Sequence, residues 1–474
     1  MIAVNYDVIV VGGGHNGLTC AAYLARAGKQ VAVLEANPQV GGFCITQELL
    51  PGAPGFRISP YALDFMTTPV EPSVITELGL TQRYGLRFAH PDPYSTYLSP
   101  EGSSWSVWFS LDKTCESIGR LSRRDAAYYR SLITPMIDLI YTAIPYLQDH
   151  PTRPRPRTVL ELLRRVAKSH RSLGPAGRLL MSSPMEIIDG FEREELKAFF
   201  AVNCTGALMP LEEAANGSMF AHLAMMHRWR LHRPVGGSGM FSEALASFVR
   251  DHGGQLRTSA PVEEIVVERG RAVGVVLQGG ERLLASQVVG AVDPVSLMAG
   301  LVPQEELSAE VRAEIGRIQV LKYGIHPFKG DMALARRPRF PNHALPDSHF
   351  GALFLSPTLE YTQRAMKANL NGELGDTYPL YFGLPSIEDR TLVPAGSDGD
   401  VGFIYALTPP TQLADGRSWS DVKDGYLNSC LDHLELYCPG LKDSIIDIRA
   451  RPVTEFNAPW AYKGAIWGVD VSPA

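Results

Sequence analysis

The chain has 474 residues, of which 45% are hydrophobic and 20% are charged. These fractions are typical of globular proteins and exclude a wholly disordered chain. At roughly 100–200 residues per domain, the length corresponds to about two to four domains. The formal net charge of −6 argues against a general nucleic-acid-binding protein.

The cysteines are scattered, at positions 20, 44, 115, 204, 430 and 438. No pair forms a CxxC motif and no histidine cluster has zinc-like spacing, so we expect no metal site. We interpret the cysteines as reduced thiols of a cytoplasmic protein, and Cys44 as a buried structural residue. The apolar N-terminus has no preceding Lys or Arg, which favours a buried strand over a signal peptide. No apolar window reaches the roughly 18 residues that a bilayer span needs.

The first 42 residues carry the clearest structural pattern, a strand, a helix and a second strand. Residues 6–11 form a short apolar run before glycines, as in a buried parallel strand. Residues 30–34 form the second strand, and Gly28 is placed to end the helix between them. Apolar residues of that helix recur at helical spacing, at Leu18, Ala21, Ala22 and Ala25. The pattern predicts the βαβ start of an α/β domain.

Glycines occupy the turn between the first strand and the helix. Gly12, Gly14 and Gly17 satisfy the GxGxxG spacing of dinucleotide-binding domains, in the strand-turn-helix context that this motif needs. Such glycines let a pyrophosphate approach the backbone, and the helix N-terminus supplies N–H groups for its phosphates. His15 and Asn16 lie in the same loop, where they either hydrogen-bond the cofactor or only shape the turn.

An acidic residue follows the second strand at the place expected for ribose recognition. Glu35 lies 18 residues after Gly17, where a carboxylate accepts hydrogen bonds from a ribose diol and disfavours a 2′-phosphate. Ala36 is its neighbour in the same predicted site. A second glycine pair, Gly41 and Gly42, predicts another close approach of the backbone to the ligand, for which a nicotinamide-binding domain has no need. We therefore favour FAD over NAD as the cofactor.

The stretch GGGHNGLTCAAYLARAGKQVAVLEANPQVGG resembles the flavin amine oxidase and phytoene desaturase superfamily. It is most similar to the branch of CrtO-type carotenoid ketolases and PYROXD2-like oxidoreductases. RPVGGSGMFSEAL is similar to the family's second FAD-binding stretch, and FRISPYALDF to its segment beside the flavin. The resemblance covers most of residues 5–470. It implies an α/β fold with a Rossmann-like FAD-binding domain of glutathione-reductase type, built from discontinuous segments, and an inserted substrate or cap domain.

The same resemblance implies further site residues. Val262 stands where a valine backbone of the family meets the adenine, and Asp293 stands in the family's usual place after the following strand. Ser59 and Tyr61 are candidates for lining the flavin face and touching substrate, and ordinary packing of a half-buried strand is the alternative. We assign no catalytic residue.

The resemblance also sets segment boundaries. We assign residues 1–80 and 231–300 to the FAD-binding domain, 81–230 to a helical substrate or cap segment, 301–445 to the substrate domain, and 446–474 to the start of a last FAD-binding segment. In the family a glycine-rich segment near the flavin ring comes next, and the sequence reaches Ala474 before that segment would begin. Truncation, a partner chain that supplies the piece, and loss of flavin chemistry would each account for this difference.

The inserted segment contains an apolar run followed by a basic one. Residues 132–147 are apolar, but they hold Pro135 and Pro145, which we expect to break a helix. Residues 151–178 hold eight Arg or Lys against one acid, and their Pro-Arg alternation at 153–157 predicts an extended linker.

Two interpretations of this region stay open. The basic segment and the apolar run either dock on an anionic bilayer, or they form a solvated helix face with Leu160, Leu163 and Ala167 packed inward. A second ambiguity concerns three histidines spaced five residues apart among methionines and aromatic residues. They either line an adaptable apolar pocket or belong to a mixed core helix; they are His222, His227 and His232.

The function implied by the resemblance is an FAD-dependent oxidoreductase acting on a lipophilic substrate, such as a carotenoid or another polyene. Hydride or an electron pair would pass to the flavin, and oxygen or a quinone would reoxidise it. There are two alternatives. One is a flavin-free lipid-binding protein, similar to the Rab GDP-dissociation inhibitors, which share this fold. The other is an NAD-dependent dehydrogenase. The intact glycine motif with Glu35 argues against the lipid-binding protein. Peripheral membrane contact is compatible with a lipophilic substrate, and nothing in the sequence indicates the oligomeric state.

Overall fold

The structure is a computed structural model and describes residues 5–62, 71–150, 152–206, 208–215, 217–406 and 409–456. The strands are β1 (Asn5–Val11), β2 (Val31–Leu34), β3 (Phe88–Ala89), β4 (Ser95–Leu98), β5 (Ser104–Val107), β6 (Arg233–Pro234), β7 (Gln255–Arg257), β8 (Val262–Glu268), β9 (Arg271–Leu277), β10 (Arg282–Gly290), β11 (Phe328–Leu334), β12 (Ala352–Leu355), β13 (Leu380–Gly383), β14 (Asp400–Ala406) and β15 (Ile445–Arg451).

The α-helices are α1 (His15–Arg26), α2 (Glu71–Glu77), α3 (Leu80–Arg83), α4 (Leu111–Gly119), α5 (Arg123–Leu147), α6 (Pro156–Met181), α7 (Pro184–Ile188), α8 (Glu194–Thr205), α9 (Ser218–Met226), α10 (Gly239–Asp251), α11 (Ala309–Arg317), α12 (Leu359–Leu370), α13 (Trp419–Glu435) and α14 (Val453–Phe456). A π-helix spans Ser296–Leu301, and 3-10 turns span Gln304–Glu306, Asp347–Phe350, Pro385–Ile387, Arg390–Leu392 and Lys442–Ser444.

The first sheet has six strands in the order β7-β2-β1-β10-β9-β8. β1 pairs in parallel with both β2 and β10, so Val10 lies opposite Val33 on one side and Val289 on the other. β10, β9 and β8 form an antiparallel meander. Apolar residues of α1 and α10 cover one face of the sheet, and residues of the meander and the π-helix pack on the other. The predicted βαβ start is confirmed, with Gly28 directly after the helix at a φ of +78°.

The second sheet has seven strands in the order β15-β11-β14-β13-β12-β4-β5. Only the β12–β4 pair is parallel among these described strands. β1 and β2 belong to the first sheet, β4 and β5 to the second, and β7 to β10 to the first again. This interleaving is the predicted α/β fold, with a dinucleotide-type domain built from discontinuous segments and an inserted second domain.

One strand crosses an assigned segment boundary. β15 belongs to the stretch that we assigned, from residue 446, to the last FAD-binding segment, yet it pairs with β11 in the second sheet. Its residues form an edge of that sheet, so the second sheet extends to Arg451. The rest of the assigned segment, from residue 457 onward, lies outside the described residues.

The expected helix break at Pro135 and Pro145 is wrong, because α5 runs unbroken through both prolines. Pro135 is buried where α5 packs in the cluster formed with α4, α8 and α9. This packing offsets the roughly 3 kcal/mol that an internal proline costs a helix, and Pro145 lies in the last turn. The predicted linker is extended only as far as Arg155, because Pro156 takes the first helical position of α6, where its fixed φ is favourable.

The inward packing predicted for Leu160, Leu163 and Ala167 is also wrong. The two leucines are 59% and 60% exposed, and Ala167 is exposed as well. In their place, Arg165 of α6 faces α5, with its guanidinium 4.2 Å from the ring centre of Tyr141 and 2.7 Å from the carbonyl oxygen of Tyr141. A partly polar face of α6 therefore contacts α5, and apolar residues stay at the surface. Within the described ranges, no helix is both long and apolar enough to cross a membrane.

The helical cluster beside β4 and β5 provides a test of the core. Trp105 is 1% exposed and its ring centre lies 4.5 Å from that of Phe199. We expect Trp105→Ala to lower the free energy of unfolding by about 3–5 kcal/mol, because it removes contacts and leaves a cavity. Leu436→Ala, at a residue that is 57% exposed, is the control and should change it by less than about 0.5 kcal/mol. Equal effects of the two changes in urea unfolding would contradict this packing.

Candidate functional site

The predicted site residues meet at the carboxyl ends of three neighbouring parallel strands. The strands are β2, β1 and β10, which lie side by side in the first sheet. Gly12 follows β1, Glu35 follows β2, and Asp293 lies three residues beyond β10. In open α/β sheets, ligands bind in the crevice outside these strand ends.

The turn from β1 into α1 requires glycine at two positions. Gly12 has a φ of +103°, which favours glycine, and a Cβ atom on Gly17 would lie 2.0 Å from the carbonyl oxygen of Gly12. Gly14 caps α1 with its own backbone, and a Cβ atom there would meet nothing closer than 3.8 Å. Among the described residues no side chain caps this helix and its first turn holds no acid. The first-turn N–H groups are therefore suited to an anion such as a pyrophosphate.

The second glycine pair lies directly on this turn. The N–H of Gly41 donates to the carbonyl oxygen of Gly13 at 2.8 Å, and Gly41 forms a bridge with Gly14. Gly42 approaches so closely that a Cβ atom on it would lie 3.1 Å from the Cα of Gly14. The structure thus brings both glycine motifs to one place, as the spacing suggested.

Glu35 is buried beside the turn, with 6% of its surface exposed. Its carboxylate accepts hydrogen bonds from the backbone N–H of Gly13 at 2.8 Å and from the backbone and side-chain nitrogens of Asn37 at 2.9 and 2.7 Å. A carboxylate offers about four acceptor positions, so roughly one remains for a ribose hydroxyl. Ala36, the next residue, is exposed at the mouth of the crevice.

The segment before β8 pairs with the residues that follow β2. The N–H of Ala260 donates to the carbonyl oxygen of Glu35 at 2.9 Å, and that of Ser259 donates to Asn37. Val262 begins β8 two residues after Ala260. Val262 therefore follows directly on the segment that pairs with Glu35, and its contact with an adenine stays a prediction.

Asp293 has an acceptor atom without a protein partner. One carboxylate oxygen accepts from the N–H of Ser296 at 2.8 Å, whereas Oδ2 is buried and has no hydrogen-bond partner among the described residues. A buried polar atom without a partner is costly, and a hydroxyl of a bound dinucleotide would satisfy it. The described residues thus fit such a cofactor. His15 is half-buried, and burial lowers its pKa, whereas Asn16 is exposed on the first turn of α1.

Ser59 and Tyr61 lie where the two sheets meet. The Ser59 hydroxyl hydrogen-bonds that of Thr46 at 3.0 Å, and its carbonyl oxygen accepts from the Lys329 amino group at 2.6 Å. The carbonyl oxygen of Tyr61 accepts from the Tyr405 hydroxyl at 3.1 Å. Lys329 and Tyr405 belong to β11 and β14 of the second sheet. Hydrogen bonds thereby connect the segment that follows the second glycine pair to the second sheet.

A buried ion cluster at this junction escaped the sequence reasoning. Lys329 and Asp331 are buried on β11 with 2.6 Å between their charged atoms, and Arg451 of β15 lies 3.4 Å from the same carboxylate. Burial lowers the pKa of Lys329, and the charge of Asp331 opposes that shift. The signal was present in the sequence, because a Lys and an Asp two residues apart in a strand lie on one face. Asp331 is the common partner of the two cations, and Arg451 is 120 residues further along the chain than Asp331.

The three histidines have different surroundings. His222 lies on α9 and His227 directly follows it, whereas the ring of His232 contacts those of Phe88 and His90 beside β3 and β6. His227 donates from Nδ1 to the carbonyl oxygen of Phe109 at 3.2 Å, and its Nε2 lies 2.7 Å from the Tyr129 hydroxyl, which can donate to it when the ring is neutral. Burial lowers the pKa values of His222, His227 and His232 to about 4. In the described part of the chain, no three or more His, Cys, Asp or Glu residues are placed to hold a metal. Cys44 is buried, as predicted.

These histidines predict a dependence of stability on acidity. Above about pH 6.5 the rings are neutral in both states, whereas between pH 6.5 and 4 the unfolded chain binds protons that the folded chain excludes. The free energy of unfolding should therefore fall as the pH is lowered through this range. We expect His227→Gln to make the fall shallower in urea titrations at pH 6.5 and 5. An unchanged slope would contradict the neutral buried ring.

The glycine contact predicts the effect of a single methyl group. Gly17→Ala places a Cβ atom against the carbonyl oxygen of Gly12, so we expect the turn to open and the dinucleotide bound per purified chain to fall at least about tenfold. Gly174→Ala is the matched control, because a Cβ atom there has no neighbour within 4 Å. Cofactor content should be unchanged in the control. Wild-type content in Gly17→Ala would contradict the close contact.

The chain is similar to known proteins along most of its length. The profile of the family described as flavin-containing amine oxidoreductases matches residues 17–325. A pyridine nucleotide-disulfide oxidoreductase domain-containing protein 2 of Rattus norvegicus is 31% identical, over 93% of this chain and 80% of that protein. A neurosporene-forming phytoene desaturase of Cereibacter sphaeroides is 24% identical, over 92% of this chain and 80% of the desaturase.

A solved structure shares the fold. Putrescine oxidase bound to putrescine superposes with a TM-score of 0.60 at 17% identity, covering 98% of this chain and 88% of the oxidase. At this identity the likeness concerns the fold alone. The profile match covers well over half of the chain, and the rat relative aligns along most of both sequences. The chain therefore belongs to the family of flavin-containing amine oxidoreductases.

Proposed function

We propose that this flavin-containing oxidoreductase acts on a neutral, lipophilic substrate of the polyene or terpene-hydrocarbon type and removes hydride or an electron pair from it. The observation that carries the proposal is the state of the charges beside Tyr61. The carboxylates there are already paired with cations, so the junction is poorly suited to an ammonium substrate. Family membership alone does not distinguish an amine from a hydrocarbon.

The cofactor is FAD, and the chain's own residues divide the tasks of holding it. The N–H groups at the start of α1 are suited to its pyrophosphate, the Glu35 carboxylate to the adenosine ribose, and the backbone at Val262 to the adenine. The buried Oδ2 of Asp293 has no hydrogen-bond donor among the described residues and is suited to a hydroxyl of the cofactor. When bound, FAD supplies the acceptor for a hydride or an electron pair.

The residues around Tyr61 orient the substrate and shield it from water. They do not transfer protons. The ring centre of Tyr61 lies 5.0 Å from that of Phe43 and 5.6 Å from that of Phe456, in edge-to-face contact. Tyr405 and Lys329 hold the backbone of this segment through hydrogen bonds to its carbonyl oxygens. Aromatic rings fixed in this way provide an apolar surface for a substrate and exclude water from it.

The charges at the junction disfavour a cationic substrate. Asp331 is engaged by both Lys329 and Arg451, and Glu455 by cations including Arg451. The guanidinium of Arg451 also lies 5.6 Å from the ring centre of Tyr61, so a cation already occupies that aromatic face. An ammonium group brought here would lose its hydration and meet like charge. A neutral hydrocarbon has no such cost, and the desaturase relative, named for phytoene, supports this substrate class.

The substrate class can be tested by anaerobic reduction of the purified holoprotein. We expect absorption near about 375 and 450 nm, a property of oxidised flavin, to bleach with a detergent-dispersed polyene such as phytoene and to persist with putrescine or cyclohexylamine. Bleaching by amines alone would contradict the proposal. A colourless protein that takes up labelled lipid would support the flavin-free alternative, and tight NAD binding without flavin would support the dehydrogenase.

The ribose position can be tested by charge reversal. Glu35→Arg removes the diol acceptor and places a cation in the crevice, so we expect at least a tenfold fall in FAD per chain, about 1.4 kcal/mol or more of binding. Glu264→Arg makes the same change at an exposed position of β8 and should keep the wild-type flavin content. If both variants retain the flavin, the ribose does not lie at Glu35.

A further inference from the structure

The exposed apolar side chains of the chain are concentrated on one helical hairpin. Of the eleven large hydrophobic residues that are exposed within the described ranges, eight lie between residues 141 and 181, on α5 and α6. They are Tyr141, Tyr146, Leu147, Val159, Leu160, Leu163, Val166 and Met181. Single exposed hydrophobic residues are ordinary on protein surfaces, whereas a concentration of them marks an interaction site. We call the group Leu147, Val159, Leu160, Leu163 and Val166 the hairpin face.

Helical spacing places the α6 residues of the hairpin face on the side of α6 that points away from α5. Val159, Leu163 and Val166 follow one another at i, i+4 and i+7, and Leu160 lies beside them on α6. The opposite side of α6 contacts α5, where Arg165 covers the Tyr141 ring and the Ser172 hydroxyl donates to Asp138 at 2.6 Å. These contacts occupy the partly polar side of α6, and the apolar side is left exposed among the described residues.

A row of cations flanks the hairpin face on α6. Arg157, Arg164, Lys168 and Arg171 recur at i, i+7, i+11 and i+14, which is one side of a helix. No carboxylate among the described residues lies within 4 Å of the charged nitrogens of Arg157, Lys168 or Arg171, whereas Arg164 contacts Glu161 at 3.6 Å. The exposed surface of α6 is therefore apolar along one strip and positive along the next.

A cleft at the base of the hairpin adds cations to this side. It has a volume of about 460 Å³ and lies between the end of α5 and the start of α6. Arg155, Arg157 and Arg165 line it together with Ile144, Pro145 and Glu161. Arg155 is paired with Asp149 at 3.0 Å and Arg165 with Glu161 at 2.8 Å, whereas Arg157 has no carboxylate within 4 Å among the described residues. The cleft thus combines an apolar wall with the guanidinium of Arg157, a group that binds phosphate and carboxylate oxygens.

We propose that the α5–α6 hairpin docks peripherally on an anionic lipid bilayer. The leucines and valines of the hairpin face enter the headgroup and acyl boundary, and the Arg and Lys residues bind anionic headgroups beside them. A helix with an apolar strip, a basic strip and no capacity to span is the kind that lies in a membrane interface. Charge complementarity selects the lipid surface over a second copy of this chain, because two such basic rows would repel each other.

The proposal is independent of the substrate, because vesicle binding is measured without turnover. The purified full-length holoprotein is sedimented with vesicles of phosphatidylcholine alone and with vesicles containing about 30% phosphatidylserine. We expect strong co-sedimentation with the anionic vesicles, weak co-sedimentation with the neutral ones, and loss of binding as salt is raised. Absence of binding to anionic vesicles would overturn the proposal.

Two variants separate the apolar and the electrostatic contributions. Leu160→Ser with Leu163→Ser should lower binding to anionic vesicles at least about tenfold, because both side chains leave water on docking. Lys168→Gln with Arg171→Gln should lower it about tenfold and should have little effect on the weak neutral binding. Leu436→Ser, at an equally exposed leucine on another surface, is the matched control and should bind like the wild type.

The outcomes distinguish lipid from other partners. Both double variants change exposed side chains, so their thermal unfolding should match that of the wild type, which establishes that the fold is intact. Wild-type vesicle binding by the leucine variant would overturn the proposal. A wild-type dimer that becomes monomeric in the leucine variant, with unchanged vesicle binding, would assign the hairpin face to a second copy of the chain instead.

Discussion

The contact between Gly17 and the carbonyl oxygen of Gly12 is the constraint on which the cofactor half depends. Because the contact leaves no room for a methyl group, α1 can begin just after the end of β1. The N–H groups of its first turn then lie at the carboxyl ends of the strands. The second glycine pair can then lie on the same turn, and Glu35 can bond to it. The crevice is therefore lined by the backbone of the two glycine segments. Backbone N–H groups can bind a pyrophosphate there without a long side chain.

The part of the fold that sequence could predict is the part that is local. The glycine turn, the flanking strands and Glu35 lie within 42 residues, so spacing alone placed them correctly. Lys329 and Arg451 form one cluster with Asp331 from two distant strands, and no short motif reports such a pairing. The helix break expected at the prolines of α5 was wrong for a related reason, because tertiary packing outweighs local helix preference.

The error at Leu160 and Leu163 has a different origin. Leucines at helical spacing ordinarily mark the side of a helix that packs on the core. In α6, Arg165 takes that side because its long apolar stem and planar head pack on Tyr141. The usual assignment of inside and outside is thus inverted on this helix. Family resemblance pointed to Ser59 and Tyr61 as candidate site residues. The hydrogen bonds that Lys329 and Tyr405 donate to their carbonyl oxygens became visible only in the structure.

The pairing of β1 with β10 has a consequence for the newly made chain. Val8 lies opposite Gln287, 279 positions away, so the central strand of the first sheet cannot be completed until most of the protein has been synthesised. At ribosomal rates this delay is on the order of tens of seconds. During it, Ile9 and Val10, which are fully buried in the finished sheet, have one unpaired strand edge. An apolar strand edge left unpaired for this long makes the nascent intermediate prone to aggregation.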